Sequence, residues 1–364
     1  MHLVQLANFY SPTSGGLRTA LDALRAGYLE AGHEVTLVVP GSKDSDVVDG
    51  AERRITIRSP RVPGGYRCIT RMDHLRALLW TLEADAFEVS DKLLLLPVAA
   101  VAERLDVPVT LLSHERLDGI LANRVPSQRV LVTAANRWNR RLARAATTVV
   151  CASDYAAEEF ERVDAPVVRV PLGVDLDTFH PDAGTGRTDP PTVVYSGRLS
   201  PEKRPEVAVD ACRYLFDLGQ PLELVVAGVG PMADELLSRA GPLPIQLRGH
   251  LSSRRELATL LASASVLIAP CPVETFGLSV LEALACGTPV VASDRGAAKE
   301  LLTAGCGIAT KTSTAQMCGA IGRLLDRPEA TTRRSARARA ESFGWDTAVG
   351  RMLAVHGAPV PVTA

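Results

Sequence analysis

The sequence predicts an α/β protein of two doubly wound domains, each a largely parallel sheet covered by helices, facing one another across a cleft. Three observations predict it. At 364 residues the chain is longer than one hydrophobic core comfortably serves and fits two domains of ordinary size. Short apolar runs alternate with amphipathic segments of helix length. A Pro- and Gly-rich break without periodicity, PDAGTGRTDPP after His180, separates two such series.

The opening MHLVQLANFY has no charged stretch before its apolar run and no small-residue cleavage site behind it, so it reads as a first strand, Leu3–Ala7, and not as a signal peptide. A helical pattern over Leu17–Ala31, a strand at Val35–Pro40, a strand at Val109–Leu112, a helix over Val130–Ala145 and a strand at Thr148–Cys151 continue the first series. The second runs through Thr192–Ser196, Leu222–Ala227, Ile245–Arg248, Val266–Ala269 and Pro289–Ala292, with helical patterns between most pairs. Arg333, Arg334, Arg337 and Arg339, followed by FGWDTAVGRML, read as two terminal helices. The domains are thus expected over residues 1–172 and 173–344. No internal sequence repeat or low-complexity tract points to a solenoid.

Composition narrows the function. With 46% hydrophobic and 22% charged residues and a formal net charge of -1, the chain is globular in character and has no whole-molecule field that would draw nucleic acid. The longest apolar stretches, such as Leu93–Ala102, fall far short of the roughly 20 residues a spanning helix needs, so any membrane contact is expected to be peripheral. Seven scattered cysteines, with no CxxC pair or metal-ligand spacing, read as buried free thiols of a reducing cytoplasm.

In doubly wound sheets ligands bind beyond the carboxyl ends of the strands, so chemistry is sought in the loops there. After the first strand, NFYSPTSGGLRTAL sets Gly15 and Gly16 before a helix, where bare backbone and a helix N-terminus suit a phosphate or sugar. The loop lacks G-x-G-x-x-G, and a plain glycine turn is the alternative. In the second series YSGRLSPEKRPEVAV brings Arg198 and Lys203 out of one strand-end loop, two cations suited to a departing diphosphate or, taken alone, two solvated surface charges. The segment PCPVETFGLSVLEALACGTPVVAS separates Glu274 and Glu282 by seven residues across a loop and the first turns of a helix. If that helix begins near Phe276, the amides of Phe276, Gly277 and Leu278 stand at its positive end, and Glu282, over a turn further on, can accept sugar hydroxyls. Glu274 by itself reads more readily as a cap or an ion-pair partner than as a substrate ligand, but the GTPVVAS strand that follows the helix makes the whole unit hard to explain as structure only.

Two D-x-D triplets, Asp44-Ser45-Asp46 and Asp175-Leu176-Asp177, are discounted as metal sites, the first as part of a polar loop and the second as interdomain chain. In RSPRVPGGYRCITRMDHLR, Arg58, Arg61, Arg67, Arg71 and Arg76 interleave with Val62, Tyr66, Ile69, Met72 and Leu75. This pattern suits an anionic lipid surface, or else an ordinary solvated loop and helix start. Arg137, Arg140, Arg141 and Arg144 recur at helical spacing as a solvated face.

Together, the glycine pair at the start, PLGVDLDTFHP, GRLSPEKR, VVAGVGP and the E-x7-E element resemble the retaining glycosyltransferases of family 4, whose GT-B fold pairs two Rossmann-like domains. NFYSPTSGGLRTA, FEVSDKLLL and SHERLDGIL resemble in particular the actinobacterial GDP-mannose-dependent phosphatidylinositol mannosyltransferases, including those acting on the dimannoside. The resemblance implies a nucleotide-sugar donor, GDP-mannose, a phosphatidylinositol mannoside acceptor and no metal or other cofactor. It implies a cytoplasmic location, in peripheral contact with an anionic membrane, and a closing FGW segment, about 345–358, that packs back on the first domain. By the same resemblance Arg198 and Lys203 hold the donor diphosphate, Glu274 the donor sugar and Glu282 the ribose. Gly16 and the amides of Phe276, Gly277 and Leu278 meet phosphate and sugar from opposite sides, and His114 lines the catalytic centre. A UDP-sugar donor with a small-molecule or polysaccharide acceptor, and an inactive nucleotide-sugar-binding protein, are the alternatives. A nicotinamide oxidoreductase is disfavoured by the missing fingerprint.

Overall fold

The computed structural model describes residues 1–11, 15–62, 65–120, 127–184 and 188–358. Backbone contacts divide the chain into Met1–Leu172 with Trp345–Ala364, unit 1, and Gly173–Gly344, unit 2.

Unit 1 runs β1 (His2–Leu6), α1 (Gly16–Glu30), β2 (Glu34–Gly41), β3 (Ser45–Asp49), β4 (Glu52–Arg58), α2 (Met72–Leu79), β5 (Ala86–Val89), α3 (Leu95–Leu105), β6 (Val109–Ser113), α4 (Leu117–Ile120), α5 (Gln128–Ala145), β7 (Thr148–Cys151), α6 (Asp154–Glu161) and β8 (Val167–Arg169). Its eight-stranded sheet has the order β3-β4-β2-β1-β5-β6-β7-β8. Every pairing is parallel except β3 on β4. The central strands are buried on both faces by helices, which is why they read as nearly unbroken apolar runs.

Unit 2 runs β9 (Thr192–Ser196), α7 (Pro205–Asp217), β10 (Glu223–Ala227), α8 (Ala233–Ala240), β11 (Ile245–Gly249), α9 (Arg254–Ser263), β12 (Val266–Ala269), α10 (Leu278–Ala285), β13 (Val290–Ser293), β14 (Gly307–Thr310), α11 (Thr314–Leu325) and α12 (Glu329–Ala340). Its six strands are all parallel in the order β11-β10-β9-β12-β13-β14. The arginines of α12 anchor it by donating to carbonyls: Arg333 to those of Ala262, Ala264 and Cys286, and Arg337 to those of Leu176, Phe179 and Ala285.

The final helix, α13 (Trp345–Val355), belongs to unit 1 and packs on α1. The two helices approach so closely at Gly27 that a Cβ there would lie 2.3 Å from Val349 Cγ2. Beyond it, His356 is buried, with Nε2 3.1 Å from the Glu88 carboxylate of β5. That carboxylate also accepts from Gln5 Nε2 at 2.9 Å and the Tyr28 hydroxyl at 2.8 Å, so its burial is compensated.

The winding of each sheet reverses once, between β1 and β5 in unit 1 and between β9 and β12 in unit 2. At such switch points the loops leaving neighbouring strands part and open a crevice.

The structure corrects the sequence reading in several places. Asp44-Ser45-Asp46 is not simply a polar loop, for Ser45–Asp49 forms an antiparallel edge strand. Asp46 takes a two-pronged ion pair from Arg53, at 2.9 and 2.6 Å, and Asp44 accepts from the Arg58 amide and from Arg71. The 58–76 stretch is not a continuous amphipathic surface: Ile69 and Leu75 are core residues, Arg67 donates to the Ser59 carbonyl and Arg76 pairs with Asp73. Residues 63 and 64 of that stretch lie outside those described. Arg137, Arg140, Arg141 and Arg144 are exposed on α5, and all seven cysteines are free, six of them buried. Among the described residues no helix is long and apolar enough to cross a membrane.

Candidate active site

In unit 2 the switch point places the loop after β9 beside the loop after β12. The first is laced to the loop after β10: the Gly197 amide donates to the Ala227 carbonyl and the Leu199 amide to that of Val229, both at 3.0 Å, and the Met232 amide returns to Leu199 O at 3.1 Å. Only glycine fits between these strands of chain. A Cβ on Gly228 would lie 1.8 Å from Gly197 O, and one on Gly230 2.3 Å from Leu199 O. The loop ends in a turn, Pro201–Lys203, and Arg204 in the left-handed region (φ 55°) hands the chain to Pro205 at the first position of α7.

On this scaffold Arg198 and Lys203 behave differently. The Arg198 carbonyl is held by the Tyr195 hydroxyl at 2.9 Å while its guanidinium stays open, 55% exposed and 3.9 Å from its nearest carboxylate, Glu202. Lys203 Nζ instead donates to Glu274 Oε2 at 2.7 Å, both side chains about one-quarter exposed. Burial works to lower the Lys203 pKa, but the adjacent carboxylate outweighs it and holds the ammonium above the ordinary lysine value. The arrangement thus offers one cation free for an anion and one fixed against a hydroxyl acceptor.

Glu274 is positioned from its other side by the loop after β13. The Ala297 amide donates to Glu274 O at 2.7 Å, and Gly296, at φ 80°, lies so close that a Cβ would stand 3.0 Å from Glu274 N. Three residues on, Gly277 adopts φ 101° and α10 begins at Leu278, two residues later than the sequence reading placed it. Phe276 and Gly277 therefore precede the helix. Because the Val280 and Leu281 amides both reach back to Gly277 O, the amides at the open end of α10 are those of Leu278 and Ser279. Glu282 lies in the second turn with its side chain 10% exposed and Arg254 Nη2 at 3.5 Å. Burial pushes its carboxyl up to about 7, against the pull of Arg254.

In unit 1 the residues named from sequence again follow strand ends. Gly16 opens α1 after β1 and is exposed, while residues 12–14 of that loop lie outside the described part. His114 follows β6, with Nε2 hydrogen-bonded to the Ser90 carbonyl beyond β5.

Sequence reasoning missed the support beneath this edge. Asp91, after β5, accepts from the amides of Asn8, Leu93 and Leu94, at 2.9, 3.0 and 3.0 Å. Burial raises its carboxyl above the usual range. Asn8 Oδ1 in turn accepts the Ile69 amide at 2.8 Å. Close by in sequence to His114, Arg116 forms a fork with Asp118, both bonds 3.0 Å, and also donates to Tyr155 O at 2.8 Å and Glu158 at 2.6 Å. The available signal was position: Asn8 and Asp91 are the polar residues that end apolar strands. Gly296 had the signal of a glycine just past Pro289–Ala292.

Neither D-x-D triplet gathers as a chelate. Asp175 turns inward to accept the amides of Asp177 and Thr178. Among the described residues no group of three or more His, Cys, Asp and Glu could hold a metal ion.

Residues 14–178 match the family described as Glycosyltransferase Family 4, and residues 178–341 match Glycosyl transferases group 1. The chain is 43% identical, over 98% of its length and 96% of the relative's, to the GDP-mannose-dependent alpha-(1-6)-phosphatidylinositol dimannoside mannosyltransferase of Mycobacterium tuberculosis. It is 30% identical, over 64% of its length and 59% of the relative's, to D-inositol 3-phosphate glycosyltransferase 1 of Catenulispora acidiphila. Among solved structures, sucrose-phosphate synthase from Thermosynechococcus elongatus superposes with a TM-score of 0.78 at 19% identity, covering 98% of each chain. Anabaena HepE, crystallised with UDP and glucose, does so at 0.73 and 17% identity, covering 98% of this chain and 99% of that one. These two likenesses concern the fold.

Proposed function

The chain belongs to the family 4 glycosyltransferases, enzymes of the GT-B fold, and from that membership we propose that it transfers a mannosyl residue from GDP-mannose to a hydroxyl of a phosphatidylinositol mannoside. One observation carries the choice of donor and acceptor: the 43% identity to a protein named for that reaction runs through nearly the whole of both chains.

The geometry of unit 2 supports the donor half of the reading. Arg198, whose guanidinium is open, and Lys203 take the diphosphate, and the amides of Phe276, Gly277 and Leu278, with that of Ser279, meet phosphate or sugar oxygens at the start of α10. Glu274, fixed by Lys203 and by Ala297, accepts hydroxyls of the mannose, and Glu282 accepts those of the ribose. For unit 1 the family resemblance assigns Gly16 to phosphate contact and His114 to the catalytic centre. In the reaction the bond from the anomeric carbon to the diphosphate oxygen breaks with its electron pair leaving on phosphate, where the two cations neutralise it. The acceptor oxygen bonds to the same face of that carbon, and its proton passes to the departing phosphate oxygen, so the α-configuration is kept. No metal is assigned a part. The acceptor is a lipid, so the enzyme would meet it from the cytoplasm at a membrane surface.

Calorimetric titration with GDP and with UDP, in buffer containing chelator, tests the donor, and transfer from labelled GDP-mannose to phosphatidylinositol dimannoside tests the reaction. GDP binding far tighter than UDP, together with labelled product, is the expected result. A preference for UDP would replace the donor and keep the site, and binding of neither nucleotide would overturn the enzyme reading.

A further inference from the structure

Of the α12 arginines that donate to backbone carbonyls, Arg339 serves a different segment from Arg333 and Arg337. Its Nε donates to Leu301 O at 3.0 Å and its Nη2 to Glu300 O at 2.8 Å. These two carbonyls close a short 3-10 helix, Ala298–Leu301, that follows β13. The last carbonyls of a helix lack partners within it, and the planar fork of one guanidinium satisfies both. The same short helix begins beside the residue that holds Glu274. Ala297, immediately before it, donates its amide to Glu274 O at 2.7 Å, and the Glu300 amide returns to Ala297 O at 2.9 Å. At its other end the buried Leu301 side chain lies against the turn that follows Glu274: a Cβ on Gly277 would stand 3.6 Å from Leu301 Cδ1 and 3.6 Å from Glu274 Cγ.

A second path leads from Arg339 to the same loop. Its guanidinium covers the ring of Phe343 at 4.7 Å, and Phe343 meets the ring of Phe276 edge to face, with centroids 6.4 Å apart. Phe276 is buried, two residues after Glu274 and two before the first residue of α10. Two routes from one side chain thus end on the segment that carries Glu274 and the amides at the start of α10.

We propose that Arg339 is a positioning residue for transfer of the donor sugar: it sets Glu274 through the 298–301 helix and the start of α10 through Phe343. This rests on the reading of Glu274 as the residue that accepts hydroxyls of the mannose. Without the guanidinium, the Glu300 and Leu301 carbonyls lose their shared donor and the helix that leads from Ala297 loosens at its end. The Phe343 ring loses its cover at the same time. The displacement falls on the hydroxyl acceptor, while the diphosphate keeps Arg198 and Lys203. Loss of Arg339 is therefore felt through the sugar more than through the nucleotide.

The test uses the full chain and calorimetric titration with GDP-mannose and with GDP. The ratio of the two dissociation constants isolates the part of the affinity that depends on the sugar. In Arg339→Gln that ratio should rise at least about fivefold and kcat/KM for transfer should fall at least about tenfold, since a misplacement of about 1 Å can cost on the order of 100-fold. Phe343→Leu, which interrupts the second path and leaves the carbonyls alone, should raise the ratio about threefold, and Phe343→Tyr, which keeps the ring, should restore the parent value. In a Glu274→Ala background, Arg339→Gln should raise the ratio no further, because it acts through the residue already removed. An unchanged ratio in Arg339→Gln, or a full further rise on top of Glu274→Ala, would overturn the proposal. Should Arg339→Gln fail to fold, Phe343→Leu in both backgrounds decides by the same ratio. If wild-type protein binds GDP-mannose and transfers mannose while Arg339→Gln leaves the ratio unmoved, the donor reading stands and the positioning role falls. If the wild type prefers UDP, the donor assignment falls, and the ratio for UDP-glucose over UDP tests Arg339 in its place.

Discussion

Lys203 Nζ meets Glu274 Oε2 at 2.7 Å, joining two loops 71 residues apart in the chain at the switch point of the unit 2 sheet. The pair is half-buried, so its worth to stability is of the order of the 0–1 kcal/mol typical of accessible ion pairs. Its value is positional. Lys203→Ala and Glu274→Ala should each lower kcat/KM for mannosyl transfer at least about tenfold, equivalent to about 1.4 kcal/mol, with little change in thermal melting. In the double variant the losses should fall short of their sum because the two residues share one interaction. Near-normal turnover in both single variants would remove them from the site.

Gly230→Ala should destabilise unit 2 by about 1–3 kcal/mol, since the added carbon would stand 2.3 Å from the Leu199 carbonyl oxygen and backbone, not a flexible side chain, must give way. The displaced loop carries Arg198 and Lys203, so nucleotide affinity should fall as well. Urea unfolding and titration with GDP measure the two effects, and unchanged values in both would show that the loops move apart freely.

The pKa of Glu282, raised to about 7 by burial, sets a sign for pH dependence. Folding favours the neutral acid, so this contribution is complete below the ordinary value near 4.5 and is lost as pH rises through about 7. Glu282→Gln should therefore be more stable than the parent at about pH 8, with the advantage shrinking as pH falls toward 4.5. Urea midpoints at both ends of that range decide it, and a constant difference would mean that the carboxyl titrates normally.

Asp118 presents the opposite case. Burial raises its pKa, but Arg116 and Arg162 outweigh that and bring it down to about 2. Its contribution is present above 3.8 and lost as pH falls through about 2. Asp118→Asn should cost about 1–3 kcal/mol near neutrality by removing the carboxylate shared by Arg116 and Arg162 and leaving Glu158 as the remaining ion-pair partner of Arg116, and the gap to the parent should narrow in strong acid. Melting temperatures across that range provide the check.

Legibility in the sequence followed burial. Thr148–Cys151, Thr192–Ser196 and Val266–Ala269 are strands over the limits their apolar runs indicate, because strands covered on both faces carry no polar interruption. The strand Ala86–Val89 escaped because Glu88 breaks its pattern, and only Gln5, Tyr28 and His356, distant in sequence, explain how a carboxylate is tolerated there. The β3–β4 hairpin escaped because its edge is charged, though Asp49-Gly50, with Gly50 at φ 57°, is a recognisable turn.

At the candidate site the same logic separates what was readable from what was not. Arg198, Lys203 and Glu274 stand in loops at the carboxyl ends of strands that could be read, so their neighbourhood followed from topology. The start of α10 did not, since the left-handed turn at Gly277 delays the helix in a way no apolar period records. Asn8 and Asp91 looked like any strand-end polar residues until their mutual bonds were seen.

Unit 1 draws on both ends of the chain: its Gly27 cleft is filled by Val349, and Glu88 waits for His356. On the ribosome, unit 2 has all of its residues in hand before unit 1 has its last helix. Synthesis therefore proceeds with an N-terminal half that has formed its sheet but keeps an apolar trough along α1, where Leu21, Leu24 and Tyr28 are destined for burial. A chain halted at residue 344 would carry every residue of unit 2 while unit 1 still lacked the helix that seals α1.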